Sequence, residues 1–500
     1  MTSNEILYAP PEPGETPGMG KALYTLEFYK ILDLLAECAA TEGARELCLR
    51  LRPDYDAERI VKRLEQTSDA KKLASIKGTP PFGGVKDING ALDRAEKSAV
   101  LPARELLDIA AVLCVARRLG DYYNADKRGS LEDSALDEFF GRLEPVRTLE
   151  NKITRAIVAE DMIADEASPE LADIRRKMKI ASNRIRDTLQ KYVQGDAYGK
   201  FLQDNIITMR NGRYVIPVKT EYKNEIKGLI HDTSASGATM FIEPLAVVEA
   251  NNELRELESR EAHEIERILA ELSADCANSA DIISRDYYNI TELAFIFAKA
   301  ELSFRLDASA PRIVKERCVE LYRARHPLLD KKSVVPVTIL IGKNGARDYN
   351  TLVVTGPNTG GKTVTLKTLG LFALMAQSGL HIPADDTSQL CVFDAVLADI
   401  GDEQSIEQSL STFSAHMVNI ASIMGAADKN SLVLFDELGA GTDPTEGAAL
   451  AISILEVIRR RGAICVATTH YAELKAYALD TDGVANASCE FDVETLRPTY

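Results

Sequence analysis

The segment GPNTGGKT, residues 356–363, limits the fold of this chain more than any other stretch of its sequence. It follows a short apolar run, residues 352–355, that predicts a buried β-strand, and it precedes residues 364–377, whose apolar spacing predicts a helix. Glycines on such a turn let backbone N–H groups surround a phosphate at the positive end of the helix. The pattern therefore predicts a P-loop that binds a nucleoside triphosphate. The predicted nucleotide-binding residues are Gly356, Pro357, Asn358, Thr359, Gly360, Gly361, Lys362 and Thr363.

Two carboxylates follow a second apolar run further along the chain. Residues 432–435 predict a strand that ends in Asp436 and Glu437, at the carboxyl edge of an α/β sheet, where ligands bind. We expect Lys362 to reach the β- and γ-phosphates and Thr363 to bind Mg²⁺ together with Asp436. We expect Glu437 to orient and deprotonate the attacking water. An exposed acidic turn is the alternative interpretation.

A histidine follows a third predicted strand, residues 463–468. His470 would emerge at the same sheet edge, where an imidazole can sense the γ-phosphate. An isolated histidine in such a position is more often structural. The strand before His470 is predicted to end at the same sheet edge as the strands before the P-loop and before Asp436. This shared position favours a catalytic role for His470.

Ser411 and Thr412 open an amphipathic segment, residues 410–424, and therefore lie at a predicted helix N-terminus. A simple helix cap is the alternative interpretation. The segment lies between the P-loop and the acidic strand, which is the position of the signature helix in ATPases of the ABC type. In those proteins the helix approaches the γ-phosphate held by the opposite subunit, so this position predicts a homodimer that closes around ATP.

Composition excludes several classes of protein. The chain has 500 residues, 45% of them hydrophobic, enough for about three globular domains. Its eight cysteines are scattered without metal-binding spacing, which favours reduced thiols. No apolar run reaches the length of a membrane span or a signal peptide, so a cytoplasmic protein without a membrane partner is expected. The net charge of −17 argues against general coating of nucleic acid, although a local basic patch can still bind phosphates.

The apolar pattern changes along the chain and predicts its organisation. Two long amphipathic segments bracket a stretch rich in β-formers and in Asn-Gly and Ser-Gly turns. The predicted fold class is an α/β ABC-type P-loop ATPase domain joined to an all-α core and lever region with a small β-rich clamp. The predicted domains are a flexible leader (1–20), a helical core (21–165), lever helices (166–275) with the clamp insert (about 200–246), a return to the helical core (276–315) and the ATPase domain (316–500).

Four motifs together resemble the ATPase domain of the MutS family in its type-two, recombination-suppressing bacterial branch. They are GPNTGGKT, LSTF, FDELGAGTDPTEGAALA and TTHYAELKAYA, in that order. RHP at 325–327 resembles the segment that leads into this domain in the family. RNGRYVIPVK at 210–219 and HDTSASGATMFIEP at 231–244 resemble the clamp of that branch. The resemblance covers nearly the whole chain after residue 20.

The resemblance implies a homodimer that binds ATP and Mg²⁺ and transmits closure through its lever helices to the clamps. The family is associated with branched DNA, where it suppresses homologous recombination, and with collided ribosomes, which it splits through contacts that include rRNA. Basic side chains of the predicted clamp suit phosphate contacts without base reading, although a solvated mixed-charge hairpin is the alternative. These residues are Arg210, Arg213, Lys219, Lys223 and Lys227.

Some features of the sequence depart from the family's mismatch-repair members. Only about twenty residues precede the first core-like helix, so no mismatch-reading domain is expected. Phe241-Ile242-Glu243 matches the family's aromatic-x-acid reader by coincidence, because it falls within the clamp, and Ala440 replaces an arginine of the family. We expect no mismatch recognition. The sequence also stops before the small nuclease domain of type-two members, so it does not support their endonuclease activity.

Three other interpretations are open at this stage. An ABC transporter would carry an LSGGQ-like signature, from which LSTFS differs. A chromosome-maintenance ATPase shares the architecture, but its coiled-coil arm would be far longer than the helices predicted here. A nucleotide-switched scaffold that binds nucleic acid without useful turnover would carry the same motifs.

Overall fold

The computed structural model describes residues 19–125, 134–345, 347–356, 361–401, 409–488, 491–492 and 497–498.

Several helices begin at the capping residue that the sequence provides: Ser168 Oγ accepts a hydrogen bond from Leu171 N at 3.0 Å, and Asp443 Oδ1 accepts one from Thr445 N at 2.9 Å. In this part of the chain the α-helices are α1 (Met19–Thr25), α2 (Phe28–Glu37), α3 (Glu42–Arg50), α4 (Ala57–Lys77), α5 (Asn89–Glu96), α6 (Ala103–Asn124), α7 (Asp137–Gly141), α8 (Arg147–Ala156), α9 (Pro169–Gln194), α10 (Leu245–Asn278), α11 (Ala280–Leu306), α12 (Lys362–Gln377), α13 (Ser409–Ala426), α14 (Pro444–Arg461) and α15 (Ala472–Asp480).

The strands cluster in the middle and in the last third of the chain, as the β-rich and α/β stretches of the sequence predict. They are β1 (Ile157–Ala159), β2 (Met162–Ile163), β3 (Thr208–Arg210), β4 (Arg213–Lys219), β5 (Gly228–Thr233), β6 (Thr239–Pro244), β7 (Arg312–Val314), β8 (Cys318–Ala324), β9 (Val337–Asn344), β10 (Arg347–Tyr349), β11 (Thr351–Thr355), β12 (Gln389–Cys391), β13 (Ala395–Asp399), β14 (Ser431–Phe435), β15 (Ile464–Thr468), β16 (Val484–Ser488), β17 (Phe491–Asp492) and β18 (Arg497–Pro498).

The chain divides into two compact units. The first comprises Met1–Lys86, Arg118–Leu143 and Tyr288–Tyr500, and the second comprises Asp87–Arg117 and Glu144–Tyr287. The predicted leader falls mostly on residues 1–18, which lie outside the described residues. Across the described ranges, no helix is both long and apolar enough to cross a membrane.

A five-stranded parallel sheet organises the first unit, in the order β13-β14-β15-β11-β16. Alternate residues of β11 point to opposite faces, so Leu352 and Val354 pack in one apolar core with α12, whereas Val353 packs in another with α13, α14 and α15. This α/β layering agrees with the sequence prediction. Because the strands are parallel, the carboxyl ends of β11, β14 and β15 meet at one edge of the sheet.

A second five-stranded sheet, in the order β10-β9-β8-β12-β7, belongs to the same unit. Its strand pairs are antiparallel except for β12 with β7. Val319 of β8 and Ile341 of β9 join the core that contains α12. The helix that follows the P-loop therefore shares one apolar core with both sheets.

The second unit contains an arm made of α9 and α10. Arg175 pairs with Glu261 at 2.6 Å, and Arg184 pairs with Glu253 at 2.9 Å. The partner number falls as the α9 number rises, so the two helices run antiparallel. The sequence prediction of two long helices is confirmed.

A four-stranded antiparallel sheet, in the order β3-β4-β6-β5, lies between α9 and α10 in the chain, and we call it the tip sheet. Its Ile216 and Ile242 are buried in one cluster with Leu189 of α9 and Leu254 of α10. The β-rich stretch between the helices is therefore a small sheet with its own apolar face on the arm.

Candidate functional site

The strand-to-helix turn of the P-loop has the backbone that its glycines allow. Gly356 has φ 132° and Gly361 has φ 76°, conformations that favour glycine, and α12 begins immediately after Gly361. Pro357, Asn358, Thr359 and Gly360 lie outside the described residues.

Lys362 lies across this turn. It is 3% exposed, and its Nζ donates to the Gly356 carbonyl oxygen at 2.6 Å. The same Nζ lies 3.1 Å from His470 Nε2. An ammonium group only donates, so the imidazole nitrogen accepts. The predicted phosphate-binding lysine and the predicted sensor histidine are thus neighbours.

Thr363 and Asp436 meet between α12 and the end of β14. Thr363 Oγ1 donates to Asp436 Oδ2 at 2.7 Å. Thr468 Oγ1 donates to the other carboxylate oxygen, Oδ1, at 2.5 Å. A hydroxyl and a carboxylate oxygen side by side are hard ligands of the type that Mg²⁺ prefers, with water and phosphate completing its shell. These residues therefore fit a magnesium ion.

Glu437 occupies a strained position at the same edge. Its φ of 49° lies in the left-handed region, which a non-glycine residue rarely adopts. Its backbone N–H donates to Thr468 Oγ1 at 2.8 Å, and its side chain is 29% exposed. Glu437 Oε1 lies 3.5 Å from His470 Nε2. The Glu437 carboxylate thus lies near His470, the neighbour of Lys362, and it remains partly exposed to water.

The loop after Glu437 is packed tightly. A side chain at Gly439 would place its Cβ 2.5 Å from the Gly447 carbonyl oxygen, and Tyr471 donates a hydrogen bond to the Gly439 carbonyl at 2.8 Å. A Cβ at Gly441 would lie 3.5 Å from Phe413 Cδ2, so α13 lies against this loop near its start. The side chains of Ser411 and Thr412 lie outside the described residues.

Sequence reasoning missed some of the polar residues around the site. Thr468 holds both Asp436 and the Glu437 backbone, and its only signal was its place one residue before Thr469-His470. Asp399 accepts hydrogen bonds from His416 at 2.8 Å and from Asn419 at 2.6 Å. No sequence motif marks these three residues, because Asp399 ends β13 whereas His416 and Asn419 lie on α13, more than fifteen positions later.

The five predicted clamp cations differ in their surroundings on the tip sheet. Arg213 donates to both oxygens of Glu243, at 2.8 and 3.1 Å. Arg210 lies 4.1 Å from the Phe241 ring centroid and 3.3 Å from Asp232.

Of the three predicted lysines, Lys219 ends β4 and is half-buried, whereas Lys223 and Lys227 lie between β4 and β5 and are exposed. Lys219 Nζ donates to the Lys200 carbonyl at 3.4 Å. Lys223 and Lys227 are exposed and make no ion pair with the described residues. The two arginines thus have partners on the tip sheet itself, whereas these two lysines extend into solvent.

Glu243, the acid of the aromatic-x-acid match, is enclosed by the tip sheet and the start of α10. Its side chain is fully buried, and it also contacts His231 Nε2 at 2.5 Å and Asn251 Nδ2 at 2.7 Å. A buried carboxylate needs such partners, because leaving one unpaired is costly. Glu243 is therefore a structural residue that joins β6, β4 and β5 to the start of α10.

Comparison with known proteins agrees with this geometry. Residues 352–498 match MutS domain V. The chain is 53% identical over 480 residues to "Endonuclease MutS2" of Acetivibrio thermocellus, an alignment that covers 96% of this chain and 60% of the relative.

Two further relatives carry the same name. The protein of Ruminiclostridium cellulolyticum is 52% identical over 475 residues, covering 95% of this chain and 59% of the relative. That of Clostridium perfringens is 52% identical over 481 residues, covering 96% and 60%. The chain thus spans about 60% of the length of these relatives. It belongs to the MutS family, in its type-two branch.

Proposed function

We propose that this chain is an ATP hydrolase of the ABC type that uses ATP and Mg²⁺ to control a nucleic-acid-binding tip. The observation that carries the proposal is the contact between Thr363 and Asp436. It joins the helix after the P-loop to the strand that ends in two carboxylates, as binding of a magnesium-nucleotide complex requires. A P-loop that served only as a glycine turn would not need this pairing.

Each side chain at the sheet edge has a distinct proposed role. Lys362 binds the β- and γ-phosphates, and Thr363 and Asp436 hold the metal. Glu437 orients the attacking water and accepts its proton, and His470 contacts the γ-phosphate. When bound, magnesium would neutralise charge on the transferring phosphoryl group. Thr468 donates to the Asp436 carboxylate and accepts from the Glu437 backbone N–H, so it holds both residues before the nucleotide arrives, which lowers the reorganisation needed during reaction.

Two copies of the chain are proposed to close around ATP. Phe413 lies against the loop that follows Glu437, so α13 begins beside the catalytic edge. Ser411 and Thr412 precede Phe413 by two positions and one position, and we propose that they contact the γ-phosphate held by the partner subunit. ATP would then join the two subunits, and hydrolysis would release them.

The arm and the tip sheet are the proposed effector. Lys219, Lys223 and Lys227 suit phosphate contacts, and we propose branched DNA or ribosomal RNA as the bound polyanion. The relatives are named endonucleases, but the chain spans about 60% of their length. We therefore assign no nuclease activity to it.

Reversing the three tip lysines tests this proposal with two readouts on one chain. We expect Lys219→Glu, Lys223→Glu and Lys227→Glu together to weaken binding to a four-way DNA junction or a ribosomal RNA fragment by at least about tenfold. The slope of log affinity against log salt should fall by about one for each lysine that no longer pairs with a phosphate. Phosphate release from ATP should stay close to that of the parent chain. Fluorescence anisotropy and a phosphate assay measure the two quantities.

A matched control reverses three exposed lysines of the first unit, Lys315, Lys331 and Lys332, which changes the net charge by the same amount. We expect this control to leave binding nearly unchanged. Equal losses of affinity in both variants would mean that overall charge, and not the tip sheet, determines binding. Unchanged binding in the tip variant at low salt would remove the tip sheet from the proposed function.

A further inference from the structure

A buried carboxylate lies directly behind the proposed metal ligand. Asp399 is the last residue of β13 and is 5% exposed. Its strand pairs in parallel with β14, and its backbone carbonyl accepts a hydrogen bond from Asp436 N at 2.9 Å. A displacement of Asp399 would therefore move the backbone of Asp436.

Two side chains of α13 hold the carboxylate of Asp399. His416 Nδ1 lies 2.8 Å from Oδ2, and Asn419 Nδ2 donates to Oδ1 at 2.6 Å. The two residues are three positions apart and thus share one face of the helix. The hydrogen bond to Asp399 raises the pKa of His416, which favours the charged form of the pair. Both carboxylate oxygens are thus bound to one helix.

The imidazole is also confined from its other side. A Cβ at Gly401 would lie 2.9 Å from His416 Cε1 and 3.0 Å from Nε2, so only glycine leaves room for the ring in this position. Asn419 Oδ1 in turn accepts a hydrogen bond from Lys21 Nζ at 2.6 Å. A continuous polar chain therefore joins α1, α13 and β13 to the strand end that carries Asp436.

Building on the proposed ATPase function, we propose that His416 and Asn419 are positioning residues for ATP hydrolysis. They bind Asp399 and thereby fix the helix that begins at Ser409 relative to the catalytic edge of the sheet. Ser411 and Thr412 lie at the start of that helix, so its position determines where they meet a nucleotide. Neither His416 nor Asn419 contacts the described residues of the P-loop, so their loss should affect turnover more than ATP binding.

The test compares His416→Leu with His416→Asn in the whole chain. Leucine removes the bond to Asp399, whereas the asparagine amide can donate from nearly the position of Nδ1. We expect His416→Leu to lower kcat by about 10- to 100-fold, because displacements of about 1 Å have effects of that size. The KM for ATP should change little, and His416→Asn should recover most of the lost kcat. Gly401→Ala, which crowds the ring without removing it, should lower kcat in the same direction.

Several outcomes would overturn the inference. A kcat of His416→Leu equal to that of the parent chain, or equal losses of kcat in the leucine and asparagine variants, would contradict a positioning role. If His416→Leu does not fold by circular dichroism, the kcat of Gly401→Ala decides, and an unchanged value rejects the inference. Glu437→Gln, measured in parallel, distinguishes failure of the positioning role from failure of the proposed ATPase function. A parent chain that hydrolyses ATP no faster than Glu437→Gln contradicts the proposed function itself.

Discussion

Replacement of Glu437 by glutamine should lower phosphate release from ATP by at least about 100-fold, since the loss of a general base typically has an effect of that size or more. ATP binding should remain within about threefold of the parent chain, because the phosphate and metal contacts come from other residues. The left-handed backbone of Glu437 and its bond to Thr468 do not depend on the carboxylate, so glutamine should preserve the local structure. Single-turnover phosphate release and fluorescent-nucleotide binding measure the two effects.

Glu446→Gln is the matched control for this change. Glu446 is exposed in the first turn of α14 and undergoes the same loss of charge. We expect its hydrolysis rate to equal that of the parent chain. Equal, negligible rates in the parent chain and in Glu437→Gln would instead favour a nucleotide-switched scaffold.

Lys299→Met should stabilise the first unit at neutral pH by an amount on the order of 4 kcal/mol, following about 1.4 kcal/mol for each pKa unit. Lys299 lies on α11, is 3% exposed and has its Nζ 4.2 Å from the Phe295 ring centroid. Burial, and to a smaller extent the neighbouring Arg63, lower its pKa to about 7 against smaller opposite effects from Cys48 and Glu292. Methionine has a similar shape and carries no charge to desolvate.

The pH dependence follows from the same shift. Below about pH 7 the lysine is protonated in both the folded and the unfolded chain, so the full cost of burying the charge is present. Between about pH 7 and pH 10 the unfolded chain binds a proton that the folded chain does not, and the free energy of unfolding therefore rises with pH. Lys299→Met should remove this rise. Urea unfolding followed by far-UV circular dichroism across this range measures it.

Lys331→Met is the control for this prediction. Lys331 is an exposed lysine of the same unit, and its replacement should change the free energy of unfolding by less than about 0.5 kcal/mol. A destabilised Lys299→Met, or a pH dependence equal to that of the parent chain, would show that the lysine is accommodated in its charged form.

The strands that end at the sheet edge beside the P-loop could be predicted from the sequence, because each strand and the helix after it follow local rules. Each apolar run became a strand, and parallel strands with helical crossovers bring their carboxyl ends to one edge, which explains why Asp436 and His470 meet the start of α12 across a long stretch of chain. The arm could be predicted equally well, because long runs of helical spacing and the Ser168-Pro169 start signal are visible in the sequence. The assigned catalytic roles remain predictions.

Other features depend on pairings that a sequence does not display. Arg213 looked like a solvent-facing cation because its partners are distant in sequence: Glu243 meets it when β4 and β6 join the same sheet, and Asn252 meets it when that sheet packs on α10. Asp399 and His416 carry no motif for the same reason. Lys299 sits among apolar residues in FIFAKAEL, a pattern that predicts a buried helix face without showing that its lysine is buried too.

Sedimentation velocity of Glu437→Gln, with and without ATP and Mg²⁺, tests the central claim most directly, because this variant should bind ATP without consuming it. If two copies close around the nucleotide, ATP should raise the association constant by about tenfold or more, within the usual range of coupling between ligand sites. Lys362→Ala, which removes the phosphate-binding lysine, should lack this response. A Glu437→Gln chain that is saturated with ATP and yet remains monomeric at every concentration would contradict the account.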